Sequence, residues 1–404
     1  MTFDVAIVGG GMVGATLAAA LAPLNLRVVL IEAIPHNAAA QPSFDERTTA
    51  LSNGSRRILE TIGVWPALDA LATPIAKIHV SDQGRFGFAR IDAREQGLAA
   101  MGYVLPNRAL GSVLWSRLSS QRIKVFCPAE VSRITANDEA VKIEITEARA
   151  KIAIDARLIV AADGAQSAVR SAFGVAAEVR DYEQTAVITT VLPQRFHDNV
   201  AYERFTPSGP LALLPLDGGR CTLVLTLPKD AAQSALAWSD QEFLAEVQRR
   251  FGFRLGRFLK VGRRVPYPLS LTRSDRTSAP RCVIIGNAAQ GLHPVAGMGF
   301  NLGLRDVACL AELIAENARS NADPGQLKLL REYDAWRTAD RGGVIAFTDG
   351  LVRLFSNPLS GVARLRTLGL LAFDLLPPAK SALSRLSTGG GGRVPKLARG
   401  VALT

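Results

Sequence analysis

Apolar residues run from Val5 to Val8, stop at a cluster of glycines, and resume as a small-residue stretch from Met12 to Leu21 before a second apolar run, Val28 to Ile31. Short runs bounded by glycine suit buried strands, and the stretch between them has helical length and composition, so the pattern predicts strand, helix and parallel strand. Asn107 to Leu118, with Leu110, Val113, Leu114 and Leu118 on one face, predicts a helix, and a shorter one is expected near Ser55 to Thr61. Val125 to Ile154 alternates apolar with polar residues, and Leu158 to Ala162 reads as a buried strand. The pattern changes between Asp181 and Leu271. Ala186 to Leu192, Leu211 to Leu216 and Arg220 to Leu227 read as strands of an antiparallel layer, the last two turned by Asp217, Gly218 and Gly219, with one helix at Gln241 to Phe251. Ile75 to Tyr103 is irregular and β-like, with a turn at Ser81 to Gly84. Cys282 to Ile285 predicts a strand, followed by a glycine loop and a long helix beginning near Asn301 and running past Ile314.

The fold class expected is α/β: a Rossmann-like domain over residues 1–74, 104–180 and 272–350, interleaved with an antiparallel β-sheet domain over 75–103 and 181–271 and followed by a helical, basic region over 351–404. A length of 404 residues, 48% of them hydrophobic, suits two subdomains better than a single core.

Three stretches carry candidate chemistry. Gly9, Gly11 and Gly14 fill the G-x-G-x-x-G positions, where backbone amides at a helix start hold a pyrophosphate, and Glu32 ends the second strand where an acid bonds a ribose hydroxyl. Asp163 and Gly164 follow the strand Leu158 to Ala162, at the edge where ligands of open α/β sheets gather. Gly286 and Asn287 end the third strand, and His293, Pro294, Gly297, Met298, Gly299, Phe300 and Asn301 lead into the long helix, whose positive end suits a reduced flavin's negative charge. Arg47 is placed to meet a pyrophosphate or a visiting nicotinamide, with an ion pair to Asp45 or Glu46 as the competing reading, and Arg108 stands in a first helical turn within reach of a cofactor.

Charge changes the picture at one end. Of a net +11, the stretch Leu351 to Thr404 contributes eight basic residues against one acid, interleaved with apolar blocks such as Leu368 to Phe373. This suits an anionic membrane surface; with only Phe355 and Phe373 as aromatics it offers little for stacking on bases, so no nucleic-acid partner is expected. No window is apolar for long enough to span a bilayer, and the first strand follows Met1 and Thr2 directly. The expectation is a cytoplasmic protein peripherally associated with the inner membrane. Four dispersed cysteines form no redox or zinc pair, and the histidines have no metal spacing, so no metal site is expected.

Together these motifs resemble the flavoprotein aromatic hydroxylases that bind one FAD, and most closely the ubiquinone-biosynthesis hydroxylases. The narrower likeness rests on His79 to Gly84, Glu203 to Leu216, Gly286 to Asp306 and Thr348 to Asn357; Asn287 stands where the general pattern has aspartate. The resemblance implies an enzyme that takes electrons from a transient NAD(P)H, uses O2 through a flavin hydroperoxide, and hydroxylates a polyprenylated phenol, with other ubiquinone-biosynthesis proteins as partners. It implies that Gly9, Gly11, Gly14 and Glu32 hold the adenosine half, that Arg47, Arg108, Asp163, Gly286 and Asn287 contact the cofactor, and that Pro294 and Gly297 to Asn301 meet the flavin ring. His293 is given a catalytic or flavin-edge role. Two alternatives stand: a soluble aromatic acid as substrate, gripped by Arg204 and Tyr202, and an FAD-holding scaffold without turnover.

Overall fold

The computed structural model describes residues 1–38, 41–45, 47–121, 123–291, 298–356 and 393–404, and the side chains of residues 298, 344–349 and 351–356 are outside that description. His293, Pro294 and Gly297, and the basic residues from Arg364 to Arg385, therefore lie outside the described residues.

The first sheet grows from the predicted strand, helix and strand. β1 (Thr2–Val8) lies parallel to β2 (Val28–Ile31) on one side and to the strand Ala150–Ala161 on the other, and the latter lies parallel to Cys282–Ile284. Strand alternation then divides the core. Val5 and Ile7 face helices α1 (Met12–Leu21), α3 (Asn107–Ser119) and α7 (Met298–Arg319), whereas Ala6 and Val8 face an antiparallel wing, Glu130–Ala136 with Val141–Glu147. Helix α2 (Asn53–Thr61) follows the short strand β3 (Thr48–Ser52), α4 (Ala168–Ala172) is capped by Ser167, and α8 (Leu327–Ser356) packs along α7. α7 starts at Met298, three residues before the predicted point, so Met298 to Asn301 form its first turn.

The second sheet has nine strands, and Ala177–Pro193 at its centre pairs with both Cys221–Pro228 and Val265–Ser274. It is not wholly antiparallel, as the sequence suggested: Val200–Thr206 runs parallel to Lys77–Asp82, which is how the distant segment 75–103 joins it. Two helices cover one face instead of the single one expected, α5 (Lys229–Ala237) and α6 (Asp240–Phe251), the latter opened by a Ser239/Glu242 capping box. A three-stranded sheet of β3, Gly102–Pro106 and Thr73–Ile75 fills the other face, where Val104 and Ala50 meet Ala201 and Leu214.

The last twelve residues correct the reading of 351–404 as one membrane-facing region. Leu397 and Leu403 are buried in the nucleotide-domain core, Arg393 pairs with Glu312 and Glu332, and Lys396 pairs with Glu316. Two of the eight basic residues are thus neutralised by the body of the protein.

Candidate active site

Three loops leave neighbouring parallel strands at their carboxyl ends and converge. Gly9 adopts φ +102°, and a Cβ on Gly14 would overlap the carbonyl oxygen of Gly9, so the turn admits only glycine at both positions. The Ala162 N–H donates to Val8 O at 2.8 Å and the Ile285 N–H to Ala161 O at 3.0 Å, which sets Asp163 and Gly286 beside the glycine turn. At Gly286 a Cβ would meet Val13 of α1 at 3.0 Å.

Glu32 is buried, and its carboxylate accepts the N–H of Gly10 and, at 2.8 Å, that of Ile34. Each oxygen keeps a lone pair for a ribose hydroxyl. Trp115 of α3 donates its indole N–H to Gly10 O at 3.1 Å, and the ring of His36 stacks on it with centroids 5.0 Å apart. Neither ring was legible as a site residue, since nothing in the helical pattern distinguishes Trp115 from core.

Asp163 gives the most direct test of whether these residues fit a cofactor. Its Oδ2 accepts the Val169 N–H at 3.1 Å, while Oδ1 is buried with no hydrogen-bond partner. A buried carboxylate oxygen without a donor is costly, and a cofactor hydroxyl at the loop junction satisfies it. With the glycine turn and the tethered Glu32, the residues present fit a dinucleotide with its pyrophosphate at the α1 N-terminus.

Asp306 was missed by sequence reasoning although it closes the motif from Gly286. It is fully buried, accepts the Gly286 N–H at 2.9 Å and the Gln290 side-chain amide at 2.7 Å on Oδ2, and takes Arg337 Nε on Oδ1. Asp340 bridges Arg337 to Arg305. An arginine paired thirty-one residues away leaves no periodic mark in the sequence.

The other predicted residues divide. Arg47 and Arg108 come together, because the Asn107 N–H donates to Arg47 O at 2.8 Å; Arg108 is exposed. Arg47 realises its competing reading by pairing with Asp45 at 2.5 Å, and its guanidinium also lies 4.7 Å from the ring centroid of Tyr267, across the seam between the two sheets. Asn287 is exposed on a short turn of 3-10 helix. Asn301 turns its side chain into the protein, accepting from Ser52 N at 2.8 Å and Ser55 Oγ at 2.6 Å and donating to Ala50 O at 2.8 Å. Phe300 packs against the nucleotide-domain core. The fork of Arg204 and Tyr202 is corrected: Arg204 donates to Arg250 O at 2.8 Å and Tyr202 stacks edge-on against Phe251, both on the α6 side and away from the nucleotide domain.

A parallel sheet with a glycine turn, a buried acid at the end of β2 and a mostly antiparallel second sheet fits the class of FAD-dependent oxidoreductases. The model of the FAD binding domain family matches residues 2–348, and the chain belongs to that family, among the ubiquinone-biosynthesis flavin hydroxylases. It is 39% identical over 404 residues to the ubiquinone hydroxylase UbiL of Rhodospirillum rubrum, covering 99% of this chain and 93% of that protein. It is 30% identical to the 3-demethoxyubiquinol 3-hydroxylase of Escherichia coli, covering 92% of this chain and 94% of that one. The fold matches p-nitrophenol 4-monooxygenase PnpA of Pseudomonas putida DLL-E4 with a TM-score of 0.78 at 19% identity, over 95% of this chain and 97% of that one. The protein is an NAD(P)H- and FAD-dependent aromatic monooxygenase, which sets aside the scaffold alternative.

Proposed function

We propose that the enzyme hydroxylates the ring of a polyprenylated phenol on the route to ubiquinone. The observation that carries this reading is a row of side chains on the sheet face turned toward the nucleotide domain. Ile188, Val224, Ala212, Glu203, Val80 and Ala89 are register partners across six adjacent strands. The row holds no cation to grip a carboxylate, and with Arg204 and Tyr202 facing α6 the soluble-acid alternative loses its fork. An apolar wall suits an electron-rich ring bearing a hydrocarbon tail.

Bound FAD supplies electron storage and oxygen activation, with NAD(P)H as reductant. The protein's part is to seat the cofactor on the Gly9 turn, Glu32 and Asp163, to present α7 amides to the reduced ring, and to keep water from the apolar row. Peripheral docking on an anionic membrane belongs to the same reading, because a polyprenyl tail is stored in lipid and each buried methylene holds it there by about 0.8 kcal/mol. Its support is the sequence from Arg353 to Arg385, which sets five basic residues against one acid, Asp374, and among the described residues no helix is long and apolar enough to cross a membrane.

Purified yellow enzyme given NAD(P)H, O2 and a short-chain prenylphenol in detergent should yield product heavier by one oxygen, the label coming from 18O2. NAD(P)H consumption without labelled product from any prenylphenol would refute the substrate assignment. Charge reversal at Arg364, Arg366, Lys380 and Arg385 should release the protein from anionic vesicles while sparing turnover in detergent; binding that survives would refute the docking.

A further inference from the structure

Glu203 is the one charged group in the apolar row just described. Its flanking residues fix its direction: Tyr202 and Arg204 contact Phe251 and Arg250 of α6, so Glu203 points to the opposite face. That face carries Ala201 against the three-stranded sheet and Thr222, whose Oγ1 lies 2.8 Å from Thr48 Oγ1 of β3. β3 is in turn held to the first turn of α7 through Asn301. Glu203 stands two strands from Thr222, about 10 Å along the wall. The wall and the cofactor-facing helix are therefore joined through β3, with a single carboxyl set among aliphatic neighbours between them.

We propose that Glu203 is the base that accepts the phenolic proton of the substrate, a role that rests on the phenol reading above. In that step the phenol O–H bond breaks, the proton passes to a Glu203 oxygen, and the bonding pair stays on the phenolate oxygen. The charge then enriches the ring carbons ortho and para to it, where oxygen is transferred. No oxidant takes part in the step, and the proton leaves when product phenol is exchanged.

The surroundings suit the task. Val80, Ala212 and Pro210 offer no charge on the adjoining strands, Asp82 lies two residues further along the same face and is paired with Arg85, and α8, which also packs on this strand, carries Asp349 and Arg353 in the part whose side chains are not described. Burial raises the Glu203 carboxyl to about 7, so near neutral pH it is divided between the accepting and the protonated form. A base poised there keeps basicity for proton transfer while a large share of it is ionised.

The test compares wild type with Glu203→Gln as FAD-loaded enzymes, with FAD content and circular dichroism checked for both. Binding of a prenylphenol is followed by the ultraviolet band of phenolate, without NAD(P)H, and turnover is followed separately across pH. The expected result is that the resting bound phenol is un-ionised in both proteins, because a carboxylate near 7 removes a phenolic proton of pKa about 10 only as oxygen transfer begins, and that turnover of Glu203→Gln falls by about 100-fold and loses the acidic limb near pH 7. A fluorinated, more acidic phenol should restore most of the lost rate, and Glu203→Asp should restore part of the limb. An unchanged turnover rate and acidic limb in Glu203→Gln, or a phenol already ionised in that variant, would overturn the role while leaving the phenol reading intact. Failure of wild type to bind or hydroxylate any prenylphenol would overturn both. Loss of turnover equal at every pH, with no rescue by the acidic phenol, would make Glu203 structural and also overturn the proposal.

Discussion

Arg337 donates its Nε–H to Asp306 Oδ1 over 2.7 Å, and each side chain is 1% exposed. Burial is the largest influence and opposes the charge on Arg337, but Asp306, Asp340 and their neighbours together outweigh it and hold the guanidinium protonated, above its ordinary range. The second Asp306 oxygen holds the Gly286 N–H, so one buried ion pair determines the backbone beside the cofactor. Asp306→Ala should cost about 3 kcal/mol in a urea titration, because it leaves buried Arg337 with only Asp340, which it shares with Arg305, as a counter-charge. It should also lower the FAD content of the purified protein; full stability would show that the pair is dispensable.

The glycine turn separates two superficially similar substitutions. A Cβ on Gly14 overlaps Gly9 O, whereas one on Gly299 meets nothing within 4 Å among the described residues. Gly14→Ala should therefore purify colourless, and Gly299→Ala should keep stoichiometric FAD, as read from the ratio of visible to ultraviolet absorbance.

Asp163→Asn tests the unpartnered oxygen. Asparagine keeps an acceptor for Val169 N–H but removes the charge offered to the cofactor. Reconstitution of apoprotein should show FAD bound about tenfold more weakly, or about 1.4 kcal/mol, with the melting temperature of the apoprotein nearly unchanged. Equal affinity would exclude this oxygen from the cofactor site.

The acid limb of stability has an assignable contributor. Hydrogen bonds from Arg249 and Arg250 outweigh burial and depress Glu246 from 4.5 to about 2. Because the folded value lies below the unfolded one, the stabilisation is complete above about pH 4.5 and is lost as pH falls toward 2. Arg249 is 64% exposed, so screening limits the effect, and Glu246→Gln should cost about 1 kcal/mol at neutral pH. The two proteins should converge in stability between pH 4.5 and 2; a constant difference would assign the loss to packing.

The sequence showed what local rules can encode. β1, α1 and β2 were legible because a glycine turn between two short apolar runs has few other folds, and the convergence of the three glycine-bearing loops followed from their positions at strand ends. What escaped was long-range. The pairing of Val200–Thr206 with Lys77–Asp82 joins segments over a hundred residues apart, and no alternation marks a strand as parallel to so distant a partner. Asn301 looked like a cofactor contact from its place at a helix start, yet three partners inside the protein claim it. The Arg204 and Tyr202 fork failed for a simpler reason: adjoining sheet neighbours impose a face, and theirs is the α6 side.

The Asn301 bonds also bear on how the chain is made. They close loops of 246 to 251 residues back onto Ala50, Ser52 and Ser55. At about 5–20 residues per second, synthesis of 250 residues takes roughly 12–50 s, during which β3 and α2 have emerged but lack their α7 partner. Leu397 and Leu403 arrive later still and fill the same core as Val5. The amino-terminal third therefore waits with an uncovered apolar face until α7 and then residues 397–403 have been made, which makes the nascent chain, more than the finished enzyme, the form that needs a chaperone.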